Sequence, residues 1–181
     1  MPVNRTKHKL YTLCFYALIS VLPFVLQNCM QPIEPLPLPI TAYEPVFISR
    51  KDLDSSVKIQ AAKPLNAAGK IYTIGSYLYI NEPYKGVHIY NNADPAKPVG
   101  ISFIAIPGSH DIAMKNNTLY ADNSVDLVAI QFFSGTVSIS KLTRIRNKFP
   151  EPPPPDLGIV PAEFYNASRR GDSVIIDWRK K

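Results

Sequence analysis

Residues 70–145 are built from short runs in which apolar and polar side chains alternate, and the set of runs occurs twice. Lys70-Ile-Tyr-Thr-Ile74, Tyr77-Leu-Tyr-Ile80, Val87-His-Ile-Tyr90 and Val99 to Ile106 are rich in β-branched and aromatic residues. Turn residues separate them: Gly75-Ser76, then Asn81 to Gly86 with its Pro83, then Asn91 to Pro95, with Pro107-Gly108 closing the fourth run. A period of two sends successive side chains to opposite faces, so each run reads as a strand. The turns are short enough to join neighbours antiparallel. The stretch lacks the 3.6-residue spacing of a long amphipathic helix.

The pattern then returns. Ile71, Leu78 and Tyr79 match Ile112, Leu119 and Tyr120 at an offset of 112 − 71 = 41 residues. After a one-residue gap, Gly86-Val-His-Ile-Tyr90 matches Asp126-Leu-Val-Ala-Ile130. The second copy predicts strands over Asp111–Met114, Thr118–Ala121, Asp126–Phe133 and Ser138–Ile145. Four strands repeating every ~40–45 residues are the mark of a β-propeller blade. The expected fold class is therefore all-β, with antiparallel four-stranded repeats forming about two blades of an incomplete ring. Two blades do not surround an axis, and they leave an apolar flank and unpaired strand edges. The sequence leaves three readings open: a truncated product, a fragment completed by a partner, or a compact two-sheet domain.

The N-terminal segment has a different character. Arg5, Lys7, His8 and Lys9 are followed by Leu10 to Leu26 without a charged side chain, then by Gln27, Asn28 and Cys29. Positive charge, an apolar run and a processing site make an export signal. The run is at the short edge of the ~17–25 residues that span a bilayer, and Pro23 would kink it. Leu26 stands three residues before Cys29, the spacing of a bacterial lipoprotein, while Asn28 departs from the usual small residue at its position. Residues 1–28 are read as a signal peptide and Cys29 as the lipidated residue; an uncleaved anchor and an ordinary secretory signal are the alternatives. With Cys14 inside the apolar run, the processed chain keeps no thiol for a disulfide, a zinc site or nucleophilic catalysis.

Charge and proline placement complete the organisation. The chain has net charge +6, with 20 basic and 14 acidic residues. Arg5, Lys7 and Lys9 precede Cys29 and no acid does, so 17 basic and 14 acidic residues remain, too even a balance for nucleic acid. Pro32, Pro35, Pro37 and Pro39 make residues 29–42 an extended tether. Residues 43–149 hold the two repeat units. Pro150 and Pro152 to Pro155 open a connector that leads into a further β segment over 150–181.

From Tyr43 to Trp178 the chain resembles the LVIVD-repeat β-propeller lipoproteins of Bacteroidetes-type bacteria. The matching words are Pro45-Val-Phe-Ile-Ser-Arg50, Gly69-Lys-Ile-Tyr72, Tyr77-Leu-Tyr-Ile-Asn-Glu82, Lys85-Gly-Val-His-Ile-Tyr90, Asp94-Pro-Ala-Lys-Pro98, Ile106-Pro-Gly108, Leu119-Tyr-Ala-Asp122 and Asp126-Leu-Val-Ala-Ile130. Gln131-Phe-Phe-Ser-Gly135 replaces the family's second Asp/Asn-Pro turn, and similar proteins continue for further blades. The resemblance implies a propeller fold in the cell envelope, on the periplasmic or surface face of the outer membrane. It implies no catalytic residues.

Candidate chemistry is sparse. Ser109-His-Asp111 contains the residue types of a hydrolytic triad, but adjacent residues do not converge in space as a triad must. Ligands bind propellers near their axis, so His110 and Asp111 are the candidate ligand-binding residues. His88, in phase with Tyr90, reads as a core or surface histidine. Glu82, Asp122 and Asp126 read as turn carboxylates accepting backbone N–H groups. Arg144, Arg146 and Lys148 read as one solvated strand face that blocks edge pairing, and the tyrosines as packing with their hydroxyls at the rim. The sequence carries no metal, calcium-loop or nucleotide motif. The expected function is a non-catalytic envelope lipoprotein, a scaffold for a protein or glycan ligand, held to the membrane by its lipid and using no cofactor, metal or nucleic acid. The alternatives are a propeller-fold hydrolase or lyase acting on envelope polymers, and a non-functional truncated fragment.

Overall fold

A computed structural model describes residues 40–134, 136–165 and 172–181. The basic and apolar N-terminal segment, Cys29, the Pro32–Pro39 run, Asn166 and the Arg169-Arg170 pair lie outside the described residues. Strand β1 (Tyr43–Ser49) leads through a one-turn helix α1 (Arg50–Asp54) to β2 (Lys58–Gln60). The first meander follows as β3 (Ile71–Ile74), β4 (Tyr77–Glu82), β5 (Gly86–Asn91) and β6 (Val99–Ala105). The second is β7 (Ile112–Lys115), β8 (Thr118–Asn123), β9 (Asp126–Phe132) and β10 (Ile139–Ile145). A 3-10 turn at Ala162–Phe164 precedes β11 (Ser173–Lys180).

The described residues are all-β with two blade-like antiparallel sheets, and no closed barrel occurs among them. The second sheet has the order β10-β9-β8-β7, and the first has the order β2-β6-β5-β4-β3. The eight repeat strands fall within a residue or two of the sequence-based bounds. β2 is an addition: three residues pair antiparallel with β6 and make the first sheet five-stranded. Nothing in Lys58-Ile-Gln60 separates it from coil, because a strand this short owes its existence to the edge it meets.

The repeat extends to backbone conformation. The β3–β4 turn has Gly75 at φ 56°, and the β7–β8 turn has Asn116 at φ 53°, at the same offset of 116 − 75 = 41. Left-handed backbone favours Gly and Asn, which accounts for both choices. The next turn has Tyr84 at φ 65° in one copy and Ser124 at φ 59° in the other, an offset of 40 that absorbs the one-residue gap.

The two sheets pack face to face. Tyr79, Val87, Ile89, Ile104 and Ile106 from the first meet Ile112, Leu119, Ala121, Val128, Ile130 and Phe132 from the second in one buried cluster. These side chains alternate along their strands, so burial on this face follows from the period. Tyr72 and Tyr77 pack against the cluster and Tyr79 is part of it.

β1 does not join the first repeat. It pairs antiparallel with β11, from Tyr43 opposite Lys180 to Ser49 opposite Ser173, with a bulge between Val46 and Phe47. This ribbon lies against the turn ends of the two sheets. Val174 packs with Leu53 and Val125, while Ile175 and Trp178 pack with Val160, Tyr43 and Tyr84. The Ser124 hydroxyl donates to the Ile175 carbonyl at 2.6 Å. The proline cluster is packed as well: Pro152 and Pro154 are buried, and the Trp178 indole N–H donates to the Pro152 carbonyl at 2.9 Å.

Candidate functional site

The turn joining the two repeats is held by backbone and side-chain hydrogen bonds on both flanks. Gly108 has φ 78°, and a Cβ there would lie 2.9 Å from the Ser124 backbone nitrogen. The Tyr84 N–H donates to the Ser109 carbonyl at 2.6 Å, and the Gly108 N–H donates to the Tyr84 carbonyl at 2.9 Å. Asn81 donates through its side chain to the His110 carbonyl at 2.9 Å, and Asn123 does the same to the Pro107 carbonyl at 2.6 Å. The Asp122 carboxylate accepts the His110 N–H at 2.9 Å and the Asp111 N–H at 2.8 Å. That is the turn role expected of Asp122.

His110 and Asp111 come together on the rim of a groove of about 330 Å³. The groove lies on the far face of the second sheet, where Ala113, Tyr120 and Leu127 alternate with the core residues Ile112, Leu119 and Val128. Its opposite wall is the segment Phe149 to Pro153. The His110 ring stands edge-on to Tyr84 at 4.3 Å between centroids. Tyr84 in turn donates its hydroxyl to the Pro153 carbonyl at 3.1 Å, so the two walls are tied together.

The electrostatics of the groove are uneven. Burial pushes the His110 imidazole below its ordinary value, against the pull of Asp122 and Asp177. Burial likewise pushes the Asp122 carboxyl up, and the N–H groups of Asp111 and His110 offset only part of that. Tyr84 is pushed up to about 12 by burial, with Asp177 adding to it. Asp111 is exposed and forms a salt bridge with Lys70 at 3.0 Å.

Ser109 is not available to chemistry in this arrangement. It is fully buried, and its hydroxyl donates to Asn81 Oδ1 at 3.2 Å. Ser109, His110 and Asp111 thus point to three different neighbours.

The remaining candidates serve the fold. His88 is buried and its Nε2 lies 2.5 Å from Glu82 Oε2. Glu82 was expected in turn chemistry, but strand alternation places it diagonally from His88 on one face of the β4–β5 pair. Burial pushes the Glu82 carboxyl up, and the hydrogen bonds from His88 and Asn66 outweigh that and leave it below its ordinary value. Asp126 is fully buried and accepts from Arg50 at 2.7 Å, Arg144 at 2.8 Å and the Asn147 N–H at 3.0 Å. The expected solvated face of Arg144, Arg146 and Lys148 is therefore corrected: β10 ends at Ile145, Asn147 turns the chain at φ 53°, and Arg144 is drawn inward by Asp126. A buried carboxylate more than a turn away in sequence is invisible to the alternation rule.

No group of three or more His, Cys, Asp or Glu side chains suited to a metal occurs among the described residues. Among them, no helix is long and apolar enough to cross a membrane. No family model, curated protein or solved structure matches the chain.

Proposed function

We propose that this chain is a non-catalytic cell-envelope lipoprotein of the LVIVD-repeat kind, anchored through Cys29, whose groove beside His110 and Asp111 receives a protein or glycan ligand. The observation that carries the reading is how the polar groups in and beside the groove are employed. The Asp122 carboxylate holds the backbone of the turn, the Ser109 hydroxyl is sealed against Asn81, and the His110 ring rests against Tyr84. An acid, a base and a nucleophile must converge on one reacting atom to catalyse hydrolysis, and these three diverge. What remains is a walled apolar cleft with a few polar groups at its edge, the form of a binding site. The 41-residue repeat, carried down to matching left-handed turn residues, supports the propeller-lipoprotein reading.

Two measurements test it. Palmitate incorporation into the full-length protein is expected, and its loss in Cys29→Ala assigns the anchor; labelling that survives this change overturns the lipoprotein reading. A panel of glycans and peptides is expected to contain a ligand whose binding is lost in Ala113→Trp, which fills the groove. Turnover of a panel polymer that disappears in His110→Ala would replace the scaffold with a hydrolase or lyase.

A further inference from the structure

We propose that the outer edge of β10 pairs antiparallel with the same strand of a second copy, giving a two-fold dimer in which one sheet runs through both molecules. The inference goes beyond the reading of the groove and does not depend on it. It starts from a difference between the repeats. β6 and β10 are the fourth strands of their meanders, each seven residues long, at an offset of 139 − 99 = 40. β6 has a neighbour on each side, because β2 pairs with Phe103–Ala105. Among the described residues β10 has β9 alone. An edge strand directs alternate N–H and C=O groups outward, where they template a further strand. Ser140 to Thr143 are all exposed, and so are the apolar Leu142 at 40% and Ile145 at 47%.

The devices that protect an edge leave most of this one open. Such devices are charges, proline and bulges. β10 contains no proline. Its bulge lies between Ile139 and Lys141, and Lys141–Ile145 run in unbroken register with Gln131 to Leu127. Of the two charges in the strand, Arg144 is turned onto Asp126 at 2.8 Å. Arg146, just past the strand, is paired with Asp54. Lys141 is left as the guard.

What points to a second copy is that the strand complements itself. Thr143 is the midpoint of the regular stretch Lys141–Ile145. A two-fold axis there sets Thr143 opposite Thr143, Leu142 opposite Arg144 and Lys141 opposite Ile145, the reciprocal pattern of a symmetric interface. Each pair joins side chains on one face of the continued sheet. No like charges stand opposite each other, and the stems of Lys141 and Arg144 lie along Ile145 and Leu142. The flanking registers fit less well. Centring on Arg144 opposes it to itself, and centring on Leu142 carries the ladder into the bulge at Ser140. Five residue pairs are a small contact beside the ~1,200 Å² of a standard interface, so the dimer is expected to be weak.

The test uses the full chain in detergent. Sedimentation equilibrium over ~10–300 µM is expected to show a monomer–dimer equilibrium. Thr143→Lys places like charges opposite each other at the axis and should weaken the dimer about tenfold or more. Thr143→Val should leave it intact, which separates the charge from the lost hydroxyl. A second measurement stands whether or not Thr143→Lys folds. With Cys14 and Cys29 both changed to Ser, Thr143→Cys is expected to form a disulfide-linked dimer under mild oxidation about tenfold faster than Thr73→Cys, an exposed position on the β3 edge of the first sheet. A chain that stays monomeric across the range overturns the proposal. So does a dimer indifferent to Thr143→Lys, which would belong to another surface, and so does Thr73→Cys cross-linking as fast as Thr143→Cys.

Discussion

The far faces of the two repeat sheets are built from the same pattern and end in opposite states. On the first sheet the segment 61–70 crosses back over the face. Lys63 Nζ sits 3.5 Å above the Phe103 ring, and Asn66 donates to Glu82 at 3.4 Å. Beneath it, Glu82, His88 and Phe103 are all buried. On the second sheet the corresponding face carries the groove, with Ala113 exposed and Tyr120 and Leu127 half-buried. The lesson is that a repeat specifies the face it shares with its neighbour. Its other face is specified by whatever chain happens to cover it.

The largest test of this contrast lies where the second sheet is braced. Asp126 neutralises two guanidinium groups that are themselves nearly buried. Asp126→Ala strands both, and breaking a buried ion pair from one side costs about 3–5 kcal/mol. Urea unfolding should show that loss, and a cost below ~1 kcal/mol would mean the brace is solvated. A smaller effect is expected at the equivalent position of the first sheet. Gly86 has φ 136°, and a Cβ there would lie 2.0 Å from the Ile104 carbonyl oxygen. Gly86→Ala should cost about 2–3 kcal/mol and shift the β5–β6 register. The smallest effect sharpens the sealed face. Glu82 and Asp126 both lie below their ordinary values in the folded chain. The unfolded state therefore takes up their protons first, so the stability they contribute is present above about pH 4 and is lost as pH falls through the folded values. Asp122 runs the other way: its folded value is raised, so stability declines as pH rises through the window above its ordinary value. Glu82→Gln should flatten the acid limb of the unfolding curve, with faster amide exchange in residues 61–70. Unchanged exchange there would show that the cover does not depend on the pair.

Much of the fold is legible in the sequence. The eight meander strands, the one-residue gap and the Gly75 turn are local properties, written in side-chain period and turn chemistry. His110 and Asp111 were singled out because they sit in the loop between two units, and the structure places both on the groove rim. Tyr120, Leu127 and Phe149 were missed as groove residues. Their apolar side chains look like core in the sequence, and only the absence of a covering strand distinguishes them. Glu82 was misread because a turn carboxylate and a buried carboxylate hydrogen-bonded to a side chain have the same sequence context; the partner His88 lies across a hairpin.

Amino-acid order alone determined that this region is a pair of antiparallel meanders with alternating faces, because strand period and turn conformation are decided within a few residues. The tertiary structure decided that β1 pairs with β11, that the proline cluster forms a wall, and which far face is sealed and which is open. Those outcomes depend on contacts between segments up to 137 residues apart (180 − 43). Whether such contacts form is settled by what each segment finds to bury, a competition that no short window of sequence contains.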